Sequence, residues 1–142
     1  GGRGLRRPSH PGVGGAGRIH VVLNDARSAL ALSGDRYDAI VSQPSHPWTA
    51  GASHLYTREF FELARSRLRE GGVLVQWIGP TYVDESLLQT LVATLGAVFR
   101  HVRVYQPQKG AGILLVGSDS APPLWRRLRL RRRGPRWQRK RQ

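Results

Sequence analysis

The sequence predicts an α/β fold built on one mainly parallel sheet. Short β-branched runs alternate with segments of helical periodicity, and Gly and Pro mark the turns between them. A length of 142 residues suits a single domain. The predicted order is β-α-β-α-β-α-β-β, which favours helices on both faces and right-handed crossovers. Because no helix separates the last two strands, we predict that they form an antiparallel hairpin.

The first predicted elements are short. Residues 19–23 (IHVVL) are rich in β-branched side chains and predict a strand. Asp25 stands at the N-cap of a predicted helix over 26–32, and a turn follows at 33–35. Residues 37–41 are nearly all apolar, as is typical of a parallel strand that is covered on both faces.

The later elements carry clearer signals. Apolar residues at 60, 61, 63, 64 and 68 predict a helix over 57–68 that begins at Thr57 and ends at Gly71-Gly72. A strand is predicted over 73–78, and Gly79-Pro80 breaks it. A second clear helix is predicted over 84–95. Strands over 98–105 and 111–117 complete the domain.

The net charge of +14 belongs to the two ends of the chain. Residues 124–142 carry ten Lys or Arg and residues 1–18 carry four, with no acid in either stretch. The centre therefore keeps 23 − 14 = 9 basic residues against all 9 acidic ones. Such blocks predict disordered tails that contact nucleic acid through its phosphates, with Trp125 and Trp137 available to stack on bases.

Composition excludes several classes of protein. The chain has no cysteine, so disulfides and thiolate metal sites are excluded. The histidines show no ligand-like spacing, and no metal site is predicted. No apolar run approaches the roughly 20 residues of a membrane span, and the first residues lack the apolar core of a signal peptide. A cytoplasmic location is the expectation.

A formal G-x-G-x-x-G match over 12–17 is read as a flexible linker. A phosphate-binding loop needs a strand before it and a helix after it, and here RRPSHP precedes and a strand is predicted to follow. The predicted organisation is a disordered segment 1–17, a domain 18–118 and a disordered Arg-rich tail 119–142.

The stretch 37–61 is the predicted ligand site. A strand there ends in a loop of Pro, Ser, His and Gly and feeds a helix. Open α/β sheets bind their ligands in the crevice outside the carboxyl ends of their strands. The chemistry of this protein is therefore expected at this turn.

Three ordered stretches carry a family resemblance: RIHVVLNDARSAL, RYDAIVSQPSHPW and LYTREFFELARSRLREGGVLVQW. They resemble the second half of the spermidine/spermine synthase family over about residues 18–118. The resemblance implies a Rossmann-like, S-adenosylmethionine-dependent methyltransferase-type sheet. It also implies aminopropyl transfer from decarboxylated S-adenosylmethionine to a polyamine.

The resemblance also assigns roles to residues. Asp25 and Ala26 match the pair that holds the adenine of the co-substrate, although Asp25 alone would equally be a helix cap. Tyr56 and Gln76 match positions that face the same crevice, and Gln76 would otherwise be an inert polar residue at a strand end. Trp48 is expected either as an apolar wall over the ligand or as a loop anchor in the core.

The predicted catalytic loop departs from the family pattern. Gln43 and His46 stand where the family has two carboxylates. Gln43 can hydrogen-bond but cannot take a proton, whereas His46 can act as a base near neutral pH or be an exposed bystander.

The part of the family domain that precedes the match contains a Gly-rich loop and two strands. The sheet order implied by the resemblance places these two strands between segments 19–23 and 37–41, and residues 1–17 cannot supply them. We therefore expect a sheet that lacks its first two strands, in a truncated or weakly active family member. Two alternatives stay open: an S-adenosylmethionine-dependent small-molecule methyltransferase, and a non-enzymatic nucleic-acid binder acting through the Arg-rich tail.

Overall fold

The computed structural model describes residues 22–44, 51–79, 81, 84–108, 110 and 112–121. The chain divides into two compact units, residues 1–34 and 35–142. Residues 1–17, which contain the G-x-G-x-x-G match, and residues 122–142 of the predicted tail lie outside the described residues.

The first unit contains the helix α1, Ala26–Leu32. Asp25 caps it, because its side chain accepts a 2.8 Å hydrogen bond from the backbone N–H of Ser28. This confirms the predicted helix. The strand predicted over 19–23 is wrong for its two described residues: Val22 and Leu23 lie in no strand, and Leu23 is 96% exposed. A strand needs a hydrogen-bonded neighbour, and no described residue pairs with this segment.

The second unit is a four-stranded mixed sheet in the order β1-β2-β4-β3. Its elements are β1 Tyr37–Ser42, a 3-10 turn Ser53–Tyr56, α2 Arg58–Arg67, β2 Leu68–Ile78, α3 Glu85–Gly96, β3 His101–Tyr105 and β4 Ile113–Ser118. β1 pairs parallel with β2, while β4 lies antiparallel between β2 and β3. Three strands therefore run one way and β4 runs back. The α/β class and the closing hairpin are confirmed.

Side chains fix the starts of both helices of the second unit. Thr57 accepts a hydrogen bond from the N–H of Phe60 at 3.3 Å, and Asp84 accepts one from Leu87 at 2.7 Å. Each oxygen satisfies a backbone donor that the first helical turn leaves unpaired. The predicted starts of these helices are confirmed.

Two predicted boundaries are wrong. Gly71 and Gly72 do not cap α2; they lie inside β2, where the register against β1 shifts and Gly71 has a φ of 75°. A Cβ on Gly72 would lie 2.9 Å from the backbone oxygen of Arg69, so the glycine is needed for a bulge and not for a helix end. The strand predicted from residue 98 begins at His101, because Val98 and Phe99 are buried in the turn after α3.

The sheet has two unlike faces. The first, here called the covered face, carries completely buried side chains: Leu74, Gln76, Ile78 and Leu115. α2 and α3 contact each other and the central strands, so both helices lie on this one side. Phe99 lies there as well, since a Cβ on Gly117 would meet its ring at 2.7 Å.

The other side, here called the open face, includes the alternate residues of the same strands: Ala39, Val41, Val73, Val75, Trp77, Leu114 and Val116. The two residues on β1 are exposed, Val116 is buried and the other four are half-buried. The prediction that β1 is covered on both faces is wrong in the described residues, because Val41 is 68% exposed.

No helix in the described part of the chain is long and apolar enough to cross a membrane.

Candidate functional site

The carboxyl ends of β1 and β2 meet at one edge of the sheet. Because these strands are parallel, Ser42 at the end of β1 lies in register with Gln76 near the end of β2. Both side chains are buried, with 9% of Ser42 and none of Gln76 exposed. Gln43 follows directly and is exposed. The sheet therefore places polar side chains at the edge where α/β proteins bind ligands.

Gln76 has an incompletely satisfied carboxamide. Its nitrogen Nε2 lies 3.5 Å from the backbone oxygen of Trp77, at the long limit for a hydrogen bond. Its oxygen Oε1 is buried and has no hydrogen-bond partner among the described residues. Such an oxygen costs about 1–3 kcal/mol of folding free energy. A buried acceptor of this kind can receive its hydrogen bond from a ligand or a water molecule.

Tyr56 lies beside Gln76. The 3-10 turn before α2 carries Tyr56 into the interior, where 7% of it is exposed. Burial raises the pKa of the Tyr56 hydroxyl, and a hydrogen bond with the Gln76 side chain partly opposes this rise. The Tyr56 hydroxyl and the Gln76 carboxamide therefore contact each other in the interior.

Local hydrogen bonds hold the turn that carries Tyr56. The hydroxyl of Thr57 donates to the backbone oxygen of His54 at 3.1 Å, while the same oxygen atom caps α2. The turn and the helix start are therefore one unit, and the position of Tyr56 follows from the placement of α2.

The structure brings together some of the predicted site residues. Tyr56 and Gln76 are in contact, and Gln43 directly follows the strand that lies beside Gln76. His46 and Trp48 lie outside the described residues.

Asp25 and Ala26 belong to the first unit. There the Asp25 carboxylate accepts the capping bond of α1, and Ala26 is exposed in the first turn. The adenine-binding role of this pair stays a prediction.

Sequence reasoning missed Ser42. Its only signal was position: it is the last residue of a parallel strand, directly before the predicted loop. Its burial depends on Gln76, which lies 34 positions further along the chain, and local patterns do not show such a pairing.

The site can bind hydrogen-bonding groups but has little negative charge. Residues 42–56 contain no Asp or Glu. Among the described residues, no group of three His, Cys, Asp or Glu side chains is arranged to hold a metal ion. The available chemistry is that of amide, hydroxyl and phenol groups in a partly dry crevice.

A cavity of about 240 Å³ lies at the opposite edge of the sheet, where Gly72, Phe99 and Asp119 line it. The Asp119 carboxylate there is paired with Arg65 at 2.6 Å. Arg65 and Arg69, which also line this cavity, are both in ion pairs, whereas the unsatisfied Oε1 of Gln76 lies at the carboxyl ends of β1 and β2. We therefore place the candidate site at the Gln76 edge.

The fold is an α/β sheet of the methyltransferase type, and this edge is its candidate ligand site. Solved structures with the same fold include a spermidine synthase in complex with the transition-state analogue AdoDATO, at 21% identity and a TM-score of 0.62 over 72% of this chain and 37% of that chain. A probable spermidine synthase from Corynebacterium glutamicum matches with 27% identity and a TM-score of 0.58, over 76% of this chain and 40% of that one.

Residues 12–108 match the spermine/spermidine synthase domain family. The polyamine aminopropyltransferase of Synechococcus sp. (strain JA-3-3Ab) is 37% identical over 117 residues, which are 78% of this chain and 38% of that protein. Polyamine aminopropyltransferase 2 of Pseudomonas aeruginosa is 34% identical over 99 residues, 68% of this chain and 28% of that protein. The chain belongs to the spermine/spermidine synthase domain family, and it covers only 38% and 28% of the length of these two relatives.

Proposed function

We propose that this chain is a weakly active aminopropyltransferase-like protein that takes decarboxylated S-adenosylmethionine and an amine as its substrates. Family membership supports the reaction class. The observation that carries the proposal is the buried Oε1 of Gln76, which has no hydrogen-bond partner in the part of the chain that the structure describes. It lies beside Tyr56 and Ser42, at the carboxyl ends of β1 and β2. This oxygen can accept a hydrogen bond from an amine N–H.

The proposed reaction is a nucleophilic substitution at carbon. The lone pair of the amine nitrogen attacks the methylene carbon next to the sulfonium, and a C–N bond forms. The C–S bond breaks with its electron pair on sulfur, and methylthioadenosine leaves. The new ammonium group then loses one proton to a base. Holding the two reactants in line is the main contribution that a protein can make to such a step.

The chain's own residues divide this work. Gln76 accepts a hydrogen bond from an amine N–H, and Tyr56 keeps the Gln76 carboxamide in place. Trp48 forms an apolar wall over the ligand. The family positions assign the Asp25 carboxylate as the acceptor for the adenine amino group, with the backbone of Ala26 beside the ring. These assignments follow the family positions, and the contact of Gln76 with Tyr56 supports the first of them.

The proton acceptor is the weak point of the site. Gln43 has no basic group, so it orients the amine by hydrogen bonding, and His46 takes the proton. With no carboxylate in residues 42–56, nothing in this loop offsets repulsion between a cationic amine and the sulfonium. We therefore expect slow turnover that rises with pH as more of the free amine is deprotonated.

The test is release of methylthioadenosine by the full chain from decarboxylated S-adenosylmethionine and putrescine, followed by chromatography. We expect a slow signal above the protein-free blank, reduced at least tenfold in Gln76→Met. Gln89→Met is the matched control, because Gln89 is an exposed glutamine on α3 whose side-chain nitrogen donates to its helix neighbour Glu85 at 2.9 Å. A signal equal to the blank, or equal losses in both variants, would contradict the proposal.

The same assay tests a methyltransferase reading. The absence of acidic residues from 42–56 favours this reading, because methyl transfer to a neutral acceptor needs no carboxylate to hold a polyamine. Turnover with S-adenosylmethionine but not with its decarboxylated form would establish that alternative.

A further inference from the structure

The three buried polar side chains at the carboxyl ends of β1 and β2 are uncharged. Ser42 is 9% exposed, Tyr56 is 7% exposed and Gln76 is completely buried. Burial raises the pKa of the Tyr56 hydroxyl, so this group is a neutral phenol at physiological pH. Hydroxyl, phenol and carboxamide groups can each form a hydrogen bond with a neutral nitrogen. An ammonium group in the same place would lose its hydration without gaining a counter-charge, so the crevice favours uncharged ligand groups.

The start of α2 adds positive potential at the same place. Tyr56, which contacts Gln76, directly precedes Thr57, the N-cap of α2. The N-terminus of a helix carries a partial positive charge, which favours anions and disfavours cations. Glu59 in the first turn is exposed to water, and Asp84, which follows β2, is exposed and accepts the capping bond of α3. Neither carboxylate is buried with the three polar side chains, so neither offsets the cost of a cation among them.

The charge of the acceptor then decides which amine fits the crevice. In the proposed reaction the co-substrate already brings a sulfonium cation. A diamine such as putrescine attacks with one free amine, while its second amino group is an ammonium, because alkyl amines stay protonated well above neutral pH. Residues 42–56 contain no Asp or Glu that could pair with this ammonium. A monoamine of the same chain length ends instead in a methyl group, which is stabilised by leaving water.

We propose that the acceptor of this chain is a monoamine with an apolar remainder, and that Gln43 determines this preference. This rests on the function proposed above, because it assigns the substrate class of the same site. Gln43 directly follows Ser42 and is exposed, so it stands at the mouth of the crevice. Its carboxamide can bond an amine but supplies no charge to hold an ammonium. Transfer to n-butylamine forms one C–N bond, breaks one C–S bond and releases methylthioadenosine and one proton.

The test compares n-butylamine with putrescine on the full chain in two measurements. Titration calorimetry in the presence of methylthioadenosine gives the dissociation constants, and methylthioadenosine release from decarboxylated S-adenosylmethionine gives kcat/KM. We expect n-butylamine to bind and to react at least tenfold better than putrescine. Gln43→Glu adds one negative charge in a side chain of nearly the same shape, and it should shift both ratios at least tenfold towards putrescine.

Gln106→Glu is the matched control. Gln106 is an exposed glutamine that follows β3 at the same edge of the sheet. β1 and β3 are three strand positions apart, which is about 14 Å. This distance exceeds the Debye length of about 8 Å at physiological salt, so the added charge should leave both ratios unchanged.

The two measurements separate the substrate preference from the reaction. Equal values for the two amines, or better binding and reaction of putrescine, would overturn the monoamine preference and leave aminopropyl transfer in place. Equal shifts in Gln43→Glu and Gln106→Glu would overturn the role of Gln43. Preferential binding of n-butylamine without release of methylthioadenosine would support the preference and contradict only the reaction. If neither amine bound and neither was consumed, the proposed function would fail and the preference with it.

Discussion

The hydroxyl of Ser118 donates a 2.9 Å hydrogen bond to the backbone oxygen of Gly72, which ties the end of β4 to the start of β2. Ser118 is completely buried and Gly72 is buried as well. We expect Ser118→Ala to lower the free energy of unfolding by about 1–3 kcal/mol, because it leaves a buried carbonyl unpaired. Urea unfolding would measure this. Ser66→Ala is the control, because the Ser66 hydroxyl bonds a carbonyl in the same way but at an exposed position.

A pair of glycines separates backbone strain from steric contact. Gly110 and Gly112 both have positive φ, 86° and 91°. A Cβ on Gly110 would meet nothing within 4 Å, whereas one on Gly112 would lie 2.6 Å from the backbone oxygen of Ile78. Gly110→Ala should cost about 1–2 kcal/mol for the left-handed backbone alone. Gly112→Ala should cost a further 1–3 kcal/mol, roughly, for overpacking. Equal melting temperatures of the two variants would show that the strand ends move to accommodate the new methyl group.

Gln76 should show a conflict between stability and function. Gln76→Met keeps the side-chain length and removes the buried oxygen that has no partner in the described part of the chain. We expect unfolding free energy in the absence of ligand to be unchanged or up to about 1 kcal/mol higher. Titration calorimetry with putrescine and methylthioadenosine should show weaker binding. A large loss of stability would mean that the oxygen is already satisfied in the folded protein.

Tyr56 should make stability depend on pH at the alkaline end. Burial raises its pKa above the ordinary 10.0 in the folded chain, so the neutral phenol is favoured there more than in the unfolded chain. The contribution is fully present below 10.0 and is lost as the pH rises through the folded pKa. Tyr56→Phe should therefore remove part of the alkaline loss of stability, as measured by urea unfolding at several pH values. Identical pH profiles would contradict this.

Sequence patterns predicted the elements whose ends depend on neighbouring residues. They failed where the structure depends on pairing between strands that are distant in the sequence. The starts of α2 and α3 were predicted because Thr57 and Asp84 are caps, and capping depends on the next three residues. Gly71 and Gly72 were misread as a helix end because their role depends on the register against Tyr37, more than thirty residues away.

Only part of the candidate site was predicted from the sequence. Tyr56 and Gln76 were predicted through family positions and they contact each other, while their role in a ligand site stays a prediction. Ser42 was missed because its burial comes from the register of β1 against β2. The exposure of Val41 was also unpredictable, since an apolar strand gives the same pattern whether or not a neighbour covers it.

The reversal of β4 has a practical consequence for handling the protein. Since β4 runs against β2, it brings the chain back to the level of Gly72, four residues or about 13 Å along β2 from Gln76. The described chain thus leaves the sheet at the edge away from the crevice. An affinity handle or a fluorophore placed near Ser120 would start on that distant side, so immobilised protein should present the Gln76 edge to the solution.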